Sequence, residues 1–303
     1  MPNATAKLPF EPSTSLERLN EIHELEEETA SPNLPIGRNR HSGGEGFSQQ
    51  VGIFNLESSN ISFRDLSFTY PGAGNEPVLK NINIDFPSGK VTAIVGMSGS
   101  GKTTIVKLIQ KFYENYNGEI KIGEATLKNL NPHFWRTHSG SVMQDGFIFN
   151  DNIAKNIAVS DENPNYEKLI HACKVANILS FIESMPLGFN TKIGAEGNGI
   201  SAGQKQRILI ARAVYKNPQF LFFDEATNAL DANNEKAIME NLQEFFKGRT
   251  VLVVAHRLST VKNADKIVVL ENGEIIEEGN HESLSKKKGK YYELVKNQLE
   301  LGN

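Results

Sequence analysis

Beyond about residue 60, the chain alternates between short apolar runs and segments in which apolar residues recur at helical spacing. Alternating apolar and polar positions predict half-buried strands over 61–70 and 78–86. The segment 267–275 alternates around an Asn-Gly pair, which predicts a hairpin. Continuous apolar runs, most of them rich in β-branched residues or phenylalanine, predict buried strands at 91–95, 141–144, 220–225 and 250–255.

Helical periodicity follows the first buried run and dominates the region from about 145 to 215. Within that region the clearest helical patterns cover 166–181 and 204–215. The sequence therefore predicts an α/β fold with a parallel sheet, an antiparallel β subdomain and an inserted helical subdomain. The first helix is expected to bury one face formed by Ile105, Val106, Leu108, Ile109 and Phe112.

The first 59 residues differ from the rest of the chain. Leu16, Leu19, Ile22 and Leu25 form an apolar stripe that predicts a short amphipathic helix, and a polar segment rich in Gly and Pro follows it. We therefore predict a linker over 1–59 and a folded domain over 60–303.

Composition narrows the possible classes of protein. A hydrophobic content of 39% in 303 residues is enough for a packed core. The sequence has no apolar stretch of bilayer length and no secretory pattern at its start, which predicts a soluble fragment. The single cysteine, Cys173, suits a reducing cytosol and is expected to be a packing residue. A net charge of −4 argues against a nucleic-acid partner.

The strongest chemical signal is a glycine-rich loop between a predicted strand and a predicted helix. Its pattern is G-x-x-x-x-G-K-T, in which glycines let the backbone approach phosphate oxygens and the helix N-terminus favours an anion. A flexible Gly/Ser turn is the alternative interpretation, but the context favours the core of a P-loop NTPase. The predicted phosphate-binding residues are Gly96, Ser98, Gly99, Ser100, Gly101, Lys102, Thr103 and Thr104.

Polar side chains end several of the buried strands. Asp224 and Glu225 close one apolar run, and two adjacent carboxylates there suit Mg²⁺ and the activation of a water molecule. His256 closes the last run and Gln144 a shorter one. The simpler interpretation of the two acids is that they are exposed turn residues. The simpler interpretation of His256 is that it is a structural histidine. Tyr70 ends a predicted strand, where it either packs or stacks on a purine.

These motifs, in this order, resemble the nucleotide-binding domain of ABC transporters over residues 60–303. Gly99 to Thr104 fall in the phosphate loop, also called Walker A, and Asp224-Glu225 match Walker B. The segment 199–207, containing Ile-Ser-Ala-Gly-Gln, resembles the family signature L-S-G-G-Q. Further matches are Tyr70 (A-loop), Gln144 (Q-loop), 229–231 (D-loop) and His256 (switch histidine).

The resemblance implies an ATPase that dimerises head to tail around ATP and Mg²⁺. Each site would combine the phosphate loop of one copy with the signature of a second copy. Tyr70 would stack on adenine, Thr103, Gln144 and Asp224 would order Mg²⁺, and Glu225, His256 and Gln144 would serve catalysis. The residues expected to act in trans, from the second copy, are Ser201, Gly203, Gln204 and Asp231.

The signature departs from the family pattern at two positions. Ile200 replaces the usual Leu and conserves its volume, whereas Ala202 replaces the first glycine. If this backbone has a positive φ or is tightly packed, alanine costs about 1 kcal/mol. We therefore expect a working signature that Ala202 weakens or tunes.

Other segments resemble ABC exporters. The stripe at 16–25 resembles the segment after the last membrane helix, 145–153 the stretch that meets the coupling helices, and 193–197 the X-loop. The segment Phe134-Trp135-Arg136 resembles a detail of those ABC exporters that transport bacteriocin-like peptides and also carry a peptidase domain. The resemblance implies transmembrane domains as partners, in the same full-length polypeptide, and a place on the cytoplasmic side of the cell membrane. Two alternatives remain: a nucleotide-gated switch that does not hydrolyse ATP, and a freestanding ATPase subunit of another ABC complex.

Overall fold

The structure is a computed structural model that describes residues 59–301, except for 160, 195, 196, 198 and 256–260. The predicted helix at 16–25 and the predicted switch residue His256 lie outside the described residues. The boundary between a linker and a folded domain near residue 59 therefore stays a prediction.

The described chain forms an α/β fold with two main sheets, which confirms the predicted class. The strands are β1 (Ile61–Phe68), β2 (Leu79–Phe86), β3 (Val91–Val95), β4 (Asn117–Ile122), β5 (Ala125–Thr126), β6 (Ser139–Val142), β7 (Asp151–Asn152), β8 (Lys192–Ile193), β9 (Phe220–Asp224), β10 (Thr250–Val254), β11 (Lys266–Glu271) and β12 (Glu274–Gly279). The helices are α1 (Lys102–Ile109), α2 (Pro132–His138), α3 (Ile153–Ile157), α4 (Tyr166–Val175), α5 (Leu179–Glu183), α6 (Ala202–Lys216), α7 (Ala232–Phe246), α8 (His281–Lys287) and α9 (Lys290–Leu301).

The central sheet has the strand order β12-β11-β3-β10-β9-β6. Strands β11, β3, β10, β9 and β6 are parallel to one another, and β12 pairs antiparallel with β11 through the predicted Asn-Gly turn. Asn272 and Gly273 both have positive φ angles, of 50° and 82°, as a type I′ turn requires. The parallel strands are almost completely buried, which explains their continuous apolar sequences.

A separate four-stranded sheet has the order β2-β1-β4-β5, and its described pairings are antiparallel. Alternate residues of β1 and β2 are buried, as their period of two predicted, except for one break in each strand, at 64–65 and 80–81. This sheet shares its apolar core with one face of the central sheet and with α1. Trp135 lies in that core, and its indole N–H donates to the Ile109 carbonyl at 2.7 Å. It is therefore a packing residue.

The first helix is shorter than its sequence pattern. Ile105, Val106, Leu108 and Ile109 are buried, but the side chain of Phe112 is 59% exposed. The prediction for Phe112 was wrong because α1 ends at Ile109 and Lys111 takes a left-handed φ of 60°. The chain then leaves the helix axis before the next turn.

Helices dominate the region between β6 and β9, but they are broken into short pieces. The helix predicted over 166–181 is divided at Asn177, which has a φ of 50°. Cys173 is fully buried between these pieces and the long helix α6, and burial raises its thiol pKa to about 12. Within the described part of the chain, no helix has both the length and the apolar character needed to cross a membrane.

Candidate functional site

The parallel sheet brings the predicted site residues to one edge. Asp224 at the end of β9 pairs with Val254 at the end of β10, and Val254 pairs with Ile94 near the end of β3. On the other side of β9, Val142 at the end of β6 pairs with Phe223. The loops that leave these four strands therefore start side by side, where parallel sheets commonly bind ligands.

The glycine-rich loop lies between β3 and α1 with its backbone bent by glycines. Gly99 has a φ of 79°, and a Cβ atom built there would meet nothing within 4 Å. Gly96 is packed so closely that a Cβ would lie 2.1 Å from the Leu270 carbonyl oxygen. The loop is thus tight against the sheet at Gly96 and open in its middle, where Ser98 and Gly99 are exposed. An open backbone before a helix N-terminus is an anion site.

Lys102 is the first residue of α1 and is only 5% exposed. Its ammonium group donates to the carbonyl oxygens of Gly96 at 3.0 Å and Met97 at 2.8 Å, so it is held over the loop. Burial lowers the pKa of Lys102, and the negative charges of Glu225 and Asp224 oppose that shift. An ammonium group that has lost water is well suited to bind phosphate.

Thr103 and Asp224 come together from two different elements. The Thr103 hydroxyl donates to Asp224 Oδ1 at 3.1 Å, while Asp224 Oδ2 is buried without a hydrogen-bond partner among the described residues. Burial raises the pKa of Asp224, and the hydroxyl of Thr103 and the charges of Lys107 and Lys102 oppose the rise. An unpartnered buried carboxylate oxygen beside a hydroxyl fits a divalent cation such as Mg²⁺.

Glu225 follows Asp224 but leaves the strand in another direction. Its φ is 51°, an unusual left-handed conformation for a glutamate, and its N–H donates to the Val254 carbonyl at 3.1 Å. The side-chain amide of Asn228 donates to Glu225 Oε2 at 2.5 Å. The two acids of the motif are therefore separated: Asp224 is buried at the cation position, and Glu225 is half-buried.

Two further residues predicted to act in the same chain, Gln144 and Tyr70, lie in different parts of the structure. Gln144 is exposed in the turn after β6, which ends at Val142 rather than at the glutamine itself. The hydroxyl of Tyr70 is 3.0 Å from the Thr104 hydroxyl, and its ring contacts Phe68 and Tyr113 edge-on. Tyr70 therefore lies against the loop helix as a half-buried packing residue. His256 lies outside the described residues.

The signature segment starts helix α6 and forms a capping box. The Ser201 hydroxyl accepts from the Gln204 N–H at 3.2 Å, and the Gln204 side chain accepts from the Ser201 N–H at 2.8 Å. The first turn contains no acidic residue, and Ser201 and Ala202 are exposed. The N-terminus of α6 therefore presents unpaired donors and a positive dipole end to solvent.

Ala202 does not meet the condition under which we expected a cost. It is the first residue of α6, its φ is not among the positive values, and its surroundings in the described chain are open. Within this chain the methyl group therefore causes no backbone strain, since a helical N1 position suits alanine better than glycine. The expectation that Ala202 weakens or tunes the signature against a second copy stays a prediction.

We predict that Ala202→Gly leaves ATP turnover within about twofold and lowers the free energy of unfolding by up to about 1 kcal/mol. The measurements are steady-state ATPase rates and urea unfolding of the same preparations. A large rise in turnover would contradict the prediction and would show that the methyl group hinders closure against another molecule.

Asp231 ends the D-loop as the N-cap of α7. Its Oδ1 accepts from the Asn234 N–H at 3.0 Å, and its Oδ2 accepts from the Asn234 side-chain amide at 2.6 Å. Sequence reasoning gave no role to Asn234, or to Asn228 beside Glu225. The D-x-x-N spacing of a helix N-terminus is the one signal that points to Asn234.

Comparisons with known proteins agree with this geometry. Residues 79–228 match the protein family described as ABC transporter. The chain is 48% identical over 228 residues to the alpha-hemolysin translocation ATP-binding protein HlyB of Proteus vulgaris, covering 75% of this chain and 32% of that protein. It is 46% identical over 243 residues to the leukotoxin translocation ATP-binding protein LktB of Mannheimia haemolytica, covering 80% and 34%. ABC transporter B family member 13 of Arabidopsis thaliana is 44% identical over 260 residues, covering 86% and 21%.

Among solved structures, the chain is similar to a bacterial Atm1-family ABC exporter with ATP bound. The TM-score is 0.75 at 36% sequence identity, over 80% of this chain and 42% of that chain. The chain thus spans between about a fifth and a third of the curated relatives it matches. Family, fold and site geometry agree on one conclusion: this chain contains an ATP-binding domain of the ABC transporter family, and it is similar to the ATP-binding regions of exporters.

Proposed function

We propose that this domain binds MgATP in a head-to-tail dimer, hydrolyses it there, and thereby powers export through transmembrane domains. The observation that carries the proposal is the exposed N-terminus of α6. Among the described residues, no hydrogen bond joins the signature residues 201–204 to the phosphate loop 96–104. Each group of residues thus offers anion-binding donors without the other, as two halves of a site would.

The proposed roles follow the contacts in the chain. The backbone N–H groups of 98–104 and Lys102 would hold the phosphates, and Thr103, Asp224 and Gln144 would hold Mg²⁺. When bound, Mg²⁺ neutralises charge on the β- and γ-phosphates. Tyr70 would stack on adenine from its half-buried position against α1, where its hydroxyl is 3.0 Å from the Thr104 hydroxyl.

Glu225 would accept a proton from the attacking water. The Asn228 amide donates to Glu225 Oε2 and so orients the carboxylate that would act as the base. Ser201 and Gly203, with the N-terminus of α6, would bind the γ-phosphate of the second copy, and Gln204 would keep Ser201 in its capping conformation. His256 and Asp231 would contact the γ-phosphate and the opposite copy, respectively.

A mixing experiment tests the head-to-tail arrangement. Lys102→Ala disables the phosphate loop, and Gly203→Asp places a negative charge at the signature. Each variant alone is expected to be inactive. Mixed dimers would contain one site with both defects and one with neither, so an equal mixture should regain about a quarter of the wild-type turnover. If each site were complete within one chain, the mixture would stay inactive.

The exposed aromatic pair Phe147 and Phe149 supports transmembrane domains as partners. Both side chains are largely exposed, at 59% and 43%, and they pack edge-to-face with ring centroids 5.3 Å apart. Buried Asn156 and half-buried Arg212 hold the backbone of this stretch through hydrogen bonds to Phe149 and Phe147. A rigid exposed apolar surface is typical of a docking site, and the stretch resembles the one that meets coupling helices in exporters. Docking on such domains would put this domain on the cytoplasmic side of the cell membrane.

We also propose that the exported substrate is a peptide of the bacteriocin class. The support is the resemblance at Phe134-Trp135-Arg136 and the names of two relatives, which are translocation proteins for alpha-hemolysin and leukotoxin. Export of a labelled peptide by vesicles containing the full-length transporter is the test, with vesicles carrying Glu225→Gln as the control.

A further inference from the structure

We propose that Asn234 is a positioning residue that fastens the signature helix to the D-loop of its own chain, so that both reach the second copy's nucleotide as one unit. The inference rests on the proposed head-to-tail dimer. It concerns a residue that lies in neither motif, in the first turn of α7.

The side-chain amide of Asn234 has one orientation that satisfies its neighbours. Its Nδ2 donates to Asp231 Oδ2 at 2.6 Å, and its Oδ1 accepts from Asn177 Nδ2 at 2.9 Å. The guanidinium of Arg207 also points at Oδ1, at 3.4 Å. A carboxylate only accepts and a guanidinium only donates, so rotating the amide by half a turn would break both contacts. One amide therefore bridges the D-loop, the signature helix and the α4–α5 junction.

Two further contacts fix the same three segments. Arg207 donates to the Asn177 carbonyl at 2.7 Å and to the Gly203 carbonyl at 3.4 Å. Gly203 lies against the D-loop, because a Cβ built on it would be 3.1 Å from the Ala229 carbonyl oxygen. The signature and the D-loop are thus in contact through backbone and through side chains.

The joined segments lead back to the hydrolysis site of the same chain. Only Ala226 and Thr227 separate Glu225 from Asn228, and the Asn228 amide bonds Glu225. When the signature and D-loop of one copy bind the nucleotide of the second copy, both segments move. That movement is transmitted to Glu225 of the first copy, which carries them. Asn234 would therefore contribute to the cooperativity of ATP hydrolysis and not to ATP binding by one chain.

The test compares Asn234→Ala with Asn241→Ala in the 303-residue chain. Asn241 lies two turns further along α7, and its amide donates to the Lys174 and Val175 carbonyls at 3.2 Å. Asn241 ties α7 to the end of α4, and Asn234 ties α7 to Asn177 just after α4. Of the two, only Asn234 also contacts the signature helix and the D-loop. We measure ATP turnover against ATP concentration, binding of a fluorescent ATP analogue, and Tm.

For Asn234→Ala we expect kcat to fall about tenfold and the Hill coefficient to fall to about 1, with analogue binding within about twofold of wild type. Asn241→Ala should keep the wild-type kcat and Hill coefficient while losing a similar amount of Tm. Equal kinetics in the two variants would overturn the inference. A wild-type chain with a Hill coefficient of about 1 would also overturn the inference, whereas failure of the Lys102→Ala and Gly203→Asp mixture to regain turnover would contradict the proposed dimer.

Asn234→Asp provides a second variant if alanine prevents folding. Aspartate keeps an acceptor for Arg207 and Asn177 but sets a second carboxylate against Asp231, so only the D-loop contact is lost. We expect the same loss of cooperativity. Wild-type kinetics in Asn234→Asp, or failure of both variants to fold while Asn241→Ala folds, would make Asn234 a folding residue and overturn the inference.

Discussion

Replacement of Glu225 by glutamine is expected to lower ATP turnover by about 10³-fold and to leave ATP binding intact. Glutamine has the same size as glutamate and still offers a carbonyl oxygen to the Asn228 amide, which now bonds Glu225 Oε2. It has no basic oxygen to accept a proton from water. Measurement of phosphate release, with binding of a fluorescent ATP analogue in parallel, separates the two effects.

The matched control is Glu271→Gln. Glu271 ends β11 at the same edge of the sheet, and it pairs with Lys290 at 2.8 Å. This change should leave turnover near the wild-type value. If Glu225→Gln kept wild-type turnover, the proton would be accepted by another group. If the wild-type domain itself showed no turnover in the assembled transporter, the alternative of a non-hydrolysing switch would be favoured.

Asn in place of Asp224 is expected to raise Tm without ligand while abolishing the stabilisation by MgATP. Asp224 is fully buried, and desolvation of its charged form raises its pKa. Asparagine keeps an oxygen that can accept from Thr103 but removes the buried charge. The expected gain is about 1 kcal/mol at neutral pH, or roughly 2–4 °C in Tm. Thermal unfolding with and without MgATP measures both effects.

The change in Tm caused by Asp224→Asn is expected to depend on pH. Because the pKa of Asp224 is higher in the folded state than in the unfolded state, the native protein binds this proton more tightly. The stabilisation from that proton is complete below the unfolded pKa of about 4 and is lost as pH rises through the folded pKa. The Tm difference between Asp224→Asn and wild type should therefore be near zero at low pH and grow toward neutral pH.

Thr103→Val is the control for this prediction. It removes the hydroxyl that donates to Asp224 at 3.1 Å, so the carboxylate loses a hydrogen bond while remaining buried. We expect a lower Tm without ligand, the opposite of Asp224→Asn, together with the same loss of MgATP stabilisation. A lower Tm in both variants would contradict the argument from the buried charge.

The sequence was most informative where periodicity is strong. The continuous apolar runs predicted β3, β9 and β10, and the Asn-Gly pair predicted the turn after β11. It was misleading where a single residue takes a left-handed conformation. Lys111 ends α1 before Phe112 can be buried, and Asn177 divides one predicted helix into two. Neither residue carries a signal strong enough to identify that conformation in advance.

The site residues, like the secondary structure, could be predicted only where the sequence pattern is strong. The glycine loop and the two acids were predictable because strand ends in a parallel sheet meet at one edge. The cost of Ala202 could be stated only as a condition, since it depends on a backbone angle that the sequence does not contain. Asn234 was missed because its partners Arg207 and Asn177 lie far away along the chain, 27 and 57 positions from it.

The position of β3 inside the central sheet also determines when this domain can assemble during synthesis. The residue just before that strand, Lys90, and its neighbour Gly89 contact partners near the far end of the chain: the Gly89 N–H bonds Thr250, 161 positions later. Val91 itself bonds Asp265, 174 positions later. At ribosomal rates of about 5–20 residues per second, the nascent phosphate loop would wait roughly 10–30 s for its flanking strands. A chain released before β10 emerges would have a nucleotide-binding loop whose own strand, β3, lacks both of its neighbours in the central sheet.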